Sequence, residues 1–298
     1  MTDVGFIGLG TMGGPMALNL LKKGHRLTVF DISDKAVATL TAAGARAAAS
    51  PKAVAAASEV VITMVPDSPD VERAVLGPDG IIEGIKPGSV YIDMSTIDPQ
   101  TTQRVGARIA AKGAHMIDSP VGKTAEHAVA GTLTLMVGGP AEIVARVRPI
   151  LDCMGTDFFH CGKLGMGEAM KLANNLLATI LLEASSEALV AGAKAGLTLD
   201  TMISVLKTTM AWNNQLALAM HARPLKGDFK PGFMLKLAHK DCRLAMEMNR
   251  NLGLPAPVGQ AALAVLEDGM AKKAGDQDVG VLLKLREAEA GVEVRLNK

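Results

Sequence analysis

Aromatic side chains are nearly absent from this chain: Phe, Trp and Tyr together make up 3% of its 298 residues. Its interior must therefore be built from aliphatic residues, and 17 Met with abundant Ala, Leu and Val supply them. That mixture favours helices and parallel strands over an antiparallel sandwich. A surplus of either charge is lacking too, with 31 Lys and Arg against 30 Asp and Glu. No bulk attraction to nucleic acid or to an anionic membrane follows, and neither partner is expected. The three cysteines, Cys153, Cys161 and Cys242, are odd in number and lack the paired short spacing of a zinc site, which fits a reducing compartment. The six histidines show no metal-ligand spacing, so no metal is expected. No Lys or Arg precedes the first apolar run, as a secretory signal would require, and the expected location is the cytoplasm. The most apolar stretch, 176–182, is closed by Glu183 and Glu187 and is too short to span a bilayer.

What is present is ample core material, 49% hydrophobic against 20% charged, in a chain about twice the ordinary domain length. Short apolar runs at 4–7, 27–30, 60–64, 90–93, 115–118 and 132–137 alternate with helical patterns. Several lack polar alternation, as parallel strands covered by helices on both faces do. The expected fold is α/β: an N-terminal doubly wound parallel sheet of the Rossmann type over residues 1–163, then an all-α domain over 164–298. Strand signals stop near Pro149, and from 166 to about 195 the chain reads as one long helix joining the two, with Gly167 and Gly192 as weak points. A helix so long and so poor in charge spans both domains or packs on another subunit.

The chemistry is announced by Gly8-Leu9-Gly10-Thr11-Met12-Gly13. G-x-G-x-x-G alone is a weak signal, but here it follows a strand, opens a helix and has Asp31 at the end of the next strand. Gly8 allows the tight turn, Gly10 lets backbone approach a pyrophosphate, and Gly13 lets helix and strand pack closely, while the helix N-terminus attracts the phosphates. Asp31 would accept the ribose hydroxyls and repel a 2′-phosphate, so NAD is favoured over NADP. Gly122-Lys123-Thr124 looks like the end of a P-loop but is not one, because Ile117 stands at the first glycine position and Pro120 stiffens the turn. It still follows a strand's carboxyl end, where such sheets bind ligands, and Lys123 could meet an anion there. Lys171, Asn174 and Asn175 form a polar group amid Leu, Ala and Met, with Lys171 and Asn175 one turn apart. Burying such groups costs several kcal/mol unless they are satisfied, which points to a lined pocket.

Taken in order, the glycine fingerprint, Asp93-Met94-Ser95-Thr96, the Asp118-x-Pro120-Val121-Gly122 loop, the 165–175 motif and Lys240-Asp241 resemble the β-hydroxyacid dehydrogenase family over essentially the whole chain. The resemblance implies an NAD-dependent oxidoreductase that assembles as a homodimer or homotetramer and acts on a small anionic substrate. It implies Lys171 as catalytic acid/base and Asn175 as a substrate ligand; Asn174, in the same polar group, is expected to bind substrate beside it. By the same resemblance Lys240 lines the cleft, and Val65, Pro66 and Thr96 contact the cofactor. The family loop reads Asp-x-Pro-Val-Ser-Gly-Gly; here Gly122, Lys123 and Thr124 replace the last three. A basic residue followed by threonine is similar to the 3-sulfolactaldehyde reductase branch, and a lysine beside the loop amides suits a sulfonate. The implied activity is the interconversion of 3-sulfolactaldehyde and 2,3-dihydroxypropane-1-sulfonate. Alternatives are the same chemistry on a carboxylate, such as 3-hydroxyisobutyrate, tartronate semialdehyde or succinic semialdehyde, and a dinucleotide-binding protein without turnover.

Overall fold

The computed structural model describes residues 1–296. The chain divides into two compact units, 1–171 and 172–298. The division lies inside the helix Met166–Lys194, whereas the change of sequence character falls near 163.

The first unit is built on a nine-stranded sheet. Its strands are β1 (Asp3–Ile7), β2 (Arg26–Phe30), β3 (Arg46–Ala47), β4 (Val60–Thr63), β5 (Val90–Asp93), β6 (His115–Asp118), β7 (Val121–Gly122), β8 (Leu133–Gly138) and β9 (Gly155–Gly162). They lie in the order β3-β2-β1-β4-β5-β6-β8, with β7 and β9 both paired to β8. From β3 to β6 every pairing is parallel, and the order reverses at β1, as in a doubly wound Rossmann sheet. Fully buried strands such as Val60–Thr63 and Val90–Asp93 are apolar because helices cover both faces. One cluster around Phe6, Val29, Ile62 and Leu135 fills one face, and a second around Val61, Tyr91 and Ile109 fills the other.

Two departures from the sequence reading lie beyond β6. β8 runs antiparallel to β6 and β7, so the sheet is not parallel throughout. Strand structure also continues past Pro149: β9, Gly-Thr-Asp-Phe-Phe-His-Cys-Gly, pairs along β8. It escaped notice because, paired on one side only, it is largely exposed and carries no buried apolar run.

The second unit is helical, with Leu199–Leu206, Leu235–Asn251, Pro257–Ala271 and Val281–Ala290 following the greater part of the long helix. Leu182, Leu189 and Val190 of that helix enter a core with Leu235, Cys242, Leu266 and Leu282. The helix Met166–Lys194 taken whole is long and apolar enough to cross a membrane by length and composition, though 176–182 alone is not. Its buried Glu183 is of a kind that a lipid-facing helix avoids.

Within the first unit the beginning of this helix is pressed against β8. A Cβ on Gly167 would run into the Met136 carbonyl and reach the Asp118 carboxylate at 2.7 Å. What reads in sequence as a weak point is a place where two backbones touch. Gly167→Ala is therefore expected to destabilise by about 1–3 kcal/mol, against the helix-propensity gain of about 1 kcal/mol that alanine normally brings; a urea unfolding midpoint measures it.

Candidate active site

The loops after β1, β4 and β5 lie side by side at the carboxyl ends of adjacent strands. After β1 the chain turns at Gly8, whose φ is +92° and whose N–H donates to the Phe30 carbonyl at 3.1 Å. A Cβ on Gly8 would strike the Met64 carbonyl, and one on Gly13 would strike the carbonyl of Gly8 itself. Gly10 differs: a Cβ there would meet nothing within 4 Å, and its φ is not positive. Neither packing nor backbone conformation requires glycine at that exposed position, so an outside group approaching the main chain is the remaining reason. The helix Gly13–Lys22 has no acidic residue in its first turn, leaving its positive end uncompensated. This geometry fits a bound dinucleotide pyrophosphate.

Asp31 stands at the end of β2, where its Oδ2 accepts the Leu9 N–H at 2.6 Å and its Oδ1 the Ser33 N–H at 2.7 Å. Each oxygen keeps a lone pair for a ribose hydroxyl. Leu9 contributes through this backbone bond while its side chain is core, Met12 packs on the same cluster, and Thr11 is exposed. Val65 donates its N–H to the Ser95 Oγ at 3.0 Å, and Ser95 donates its own to Asp93 Oδ1 at 3.1 Å. The loops carrying Val65-Pro66 and Thr96 are thus tied by Ser95, to which the sequence reading gave no role.

The third cluster joins β6 to the long helix. Asp118 Oδ1 accepts the Gly165 N–H at 2.7 Å and Oδ2 the Glu168 N–H at 2.8 Å, so this buried carboxylate caps the helix. Three residues beyond Asp118, the Val121 carbonyl accepts a hydrogen bond from Lys171 Nζ at 2.7 Å. Lys171 and the 121–124 loop are thereby brought together. Within that loop Lys123 has φ +75°, a left-handed conformation that costs a non-glycine residue about 1–2 kcal/mol. Its ammonium lies 2.7 Å from Asp157 of β9 and donates to the Thr132 carbonyl at 2.7 Å. The Asp157 carboxyl is held below its usual range, chiefly by that hydrogen bond. Thr124 shares a 3.0 Å hydrogen bond with His127, and Gly122 is buried in β7.

The remaining expected residues belong to the second unit. Asn174 Nδ2 donates to Asn175 Oδ1 at 2.9 Å, and Asn175 Nδ2 donates to Asp241 Oδ2 at 2.6 Å. Lys240 Nζ lies 3.1 Å from Asp241 Oδ1. Two motifs far apart in sequence meet, and Asp241 is the residue in common. Among the described residues no group of three or more His, Cys, Asp or Glu side chains is placed to hold a metal.

This arrangement defines a class of protein before any relative is considered, namely one that takes a dinucleotide on a Rossmann sheet. The family model for the NAD binding domain of 6-phosphogluconate dehydrogenase matches residues 3–162. That for the NAD-binding domain of NADP-dependent 3-hydroxyisobutyrate dehydrogenase matches residues 165–286. The chain belongs to the β-hydroxyacid dehydrogenase family. It is 39% identical over 296 residues to 3-sulfolactaldehyde reductase of Escherichia coli, covering 99% of each chain. It is 41% identical over 268 residues to 3-hydroxyisobutyrate dehydrogenase of Pseudomonas aeruginosa, covering 88% of this chain and 90% of the relative. The structure of Mycobacterium tuberculosis 3-hydroxyisobutyrate dehydrogenase with L-serine superposes with a TM-score of 0.89 at 32% identity, over 96% of this chain and 99% of that one.

Burial pushes the Asp118 carboxyl up from 3.8 to about 6, against the pull of its backbone N–H bonds. A carboxyl with a raised folded pKa binds its proton more tightly when native; its contribution is complete below the unfolded value of 3.8 and is lost as pH rises through about 6. Asp118→Asn abolishes this titration, so the fall in unfolding midpoint between about pH 4 and about pH 7 should be shallower in the variant. Some slope must persist, because burial raises Glu183 to about 7 with the same sign.

Proposed function

We propose that the protein is an NAD(H)-linked reductase that interconverts a short anionic semialdehyde and its primary alcohol, with 3-sulfolactaldehyde and 2,3-dihydroxypropane-1-sulfonate as the pair. The observation that carries the chemistry is the 2.7 Å hydrogen bond from Lys171 Nζ to the Val121 carbonyl, which holds an ammonium at the start of the substrate loop. Bound nicotinamide supplies or accepts hydride. During reduction, ammonium Lys171 donates a proton to the carbonyl oxygen; during oxidation, the neutral amine removes the alcohol proton. Val121 keeps Nζ aimed while it does so. Asn175 and Asn174 orient the oxygen-bearing carbon, and Lys240 adds positive charge for the substrate and cofactor. Gly8, Gly10 and Gly13, with Leu9, Thr11 and Met12 between them, cradle the pyrophosphate. Asp31 takes the ribose hydroxyls and disfavours a 2′-phosphate, and Val65, Pro66 and Thr96 line the nicotinamide side.

The anion falls to Gly122, Lys123 and Thr124. The identity to Escherichia coli 3-sulfolactaldehyde reductase supports a sulfonate, as does a cation where the family loop has glycine. One observation favours a second reading, a carboxylate held by the loop alone: Lys123 is already matched by Asp157. The same reading includes self-association as a dimer or tetramer, supported by Leu177, 58% exposed on a largely apolar helix, and location in the cytoplasm.

Two experiments test this. Lys171→Ala is expected to lower kcat by about 10²- to 10⁴-fold while NADH affinity, read by fluorescence, stays within error; unchanged turnover overturns the assignment. NADH oxidation with 3-sulfolactaldehyde, tartronate semialdehyde and succinic semialdehyde should favour the sulfonate. Lys123→Glu should raise KM for the preferred substrate about tenfold or more, and Asp157→Asn, by releasing the ammonium, should lower it. A higher KM in Asp157→Asn, with a carboxylate preferred, would instead make Lys123 a loop tie and establish the second reading.

A further inference from the structure

We propose that Asp241 is a positioning residue that fixes which way the Asn175 carboxamide faces and anchors Lys240 beside it. The inference rests on the role given to Asn175 above. A carboxamide has two N–H donors at one end and two lone pairs at the other, and the two ends are nearly equal in shape. Packing alone therefore does not choose between its two orientations. Asp241 chooses: an ionised carboxylate only accepts, and it sits 2.6 Å from Asn175 Nδ2. Turning the amide over would set oxygen against oxygen at a residue only 4% exposed, where water cannot make up the loss. Asn174 follows that choice rather than making it: its own carboxamide is exposed and can turn, and it donates to Asn175 Oδ1 at 2.9 Å. One N–H and one lone pair of Asn175 then remain, in a defined arrangement.

The second oxygen of Asp241 is 3.1 Å from Lys240 Nζ, whose side chain is 14% exposed. A single buried carboxylate thus sets two groups that come from different helices, Met166–Lys194 and Leu235–Asn251. Those helices are held together within the second unit by Leu172 against Leu244 and Ala245. The charge is felt locally: burial first and Asp241 second push the Cys242 thiol up to about 11.

The test is a double-mutant cycle on purified holoenzyme, with kcat and KM for the preferred semialdehyde and a thermal midpoint for each protein. Asp241→Asn keeps the size of the side chain and removes its charge. It is expected to lower kcat/KM about 10- to 100-fold in the wild-type background and at least fivefold less than that in the Asn175→Ala background. Asp241→Glu, which keeps the acceptor character, should recover part of the loss, and it takes the place of Asp241→Asn in the cycle if the latter does not fold. Wild-type kcat/KM in Asp241→Asn, or losses that simply multiply with Asn175→Ala, overturn the inference while leaving the role of Asn175 intact. Wild-type kcat/KM in Asn175→Ala itself would remove that role, and the inference with it.

Discussion

A carboxylate buried at the end of a strand has to be met by donors, and Asp118 is met by the opening N–H groups of the long helix. Both partners are backbone, so the bond fixes the helix start itself rather than a side chain on it. The placing of the candidate substrate loop and of Lys171 follows from that attachment. The loop that begins three residues after Asp118 and the lysine that stands about one and a half turns into the helix share one anchor, and Lys171 reaches Val121 over a short path. Glu168 strengthens the attachment by accepting the Ile97 N–H at 3.1 Å. Gly138 and Gly167 are bare on either side of the carboxylate because any side chain would occupy its place. The raised pKa of Asp118 is what this burial costs.

The dinucleotide half was legible in the sequence because its signals are local. A glycine turn, the helix it opens and the acid that ends the next strand lie within 31 residues of the N-terminus, and each has a distinct physical reason to be there. The long helix was legible from its composition and its sharp start. The reversal of β8 and the presence of β9 were not, because strand direction and an exposed edge leave no periodic mark. Candidate site residues could be named from the sequence one by one, but their contacts could not. Asp157 lies 34 residues after Lys123 and Asp241 lies 66 after Asn175, separations over which nothing in spacing or pattern announces a meeting. Ser95, Asp157 and Asp241 share the trait that hid them: each acts by holding another group, and only the folded chain shows which.

Lys123 illustrates how two physical demands act on one position. The backbone there bends into a region that favours glycine, and a long charged side chain has nevertheless been placed on it. An exposed ion pair with Asp157 is screened by solvent and does not clearly outweigh the conformational cost. A residue kept against its local preference points to selection for something other than stability. Relatives that differ in the molecule they act on nonetheless share the fold closely.

The left-handed bend at position 123 is a property of the loop, not of the lysine on it. Glycine adopts that conformation at no steric cost, and neither the Gly8 turn nor the bonds from Asp118 to the helix start involve the lysine side chain. Charge at this point is therefore set by one exposed side chain rather than by the course of the backbone. In evolutionary terms, a side chain that enters neither core can be exchanged with no intermediate that has to refold.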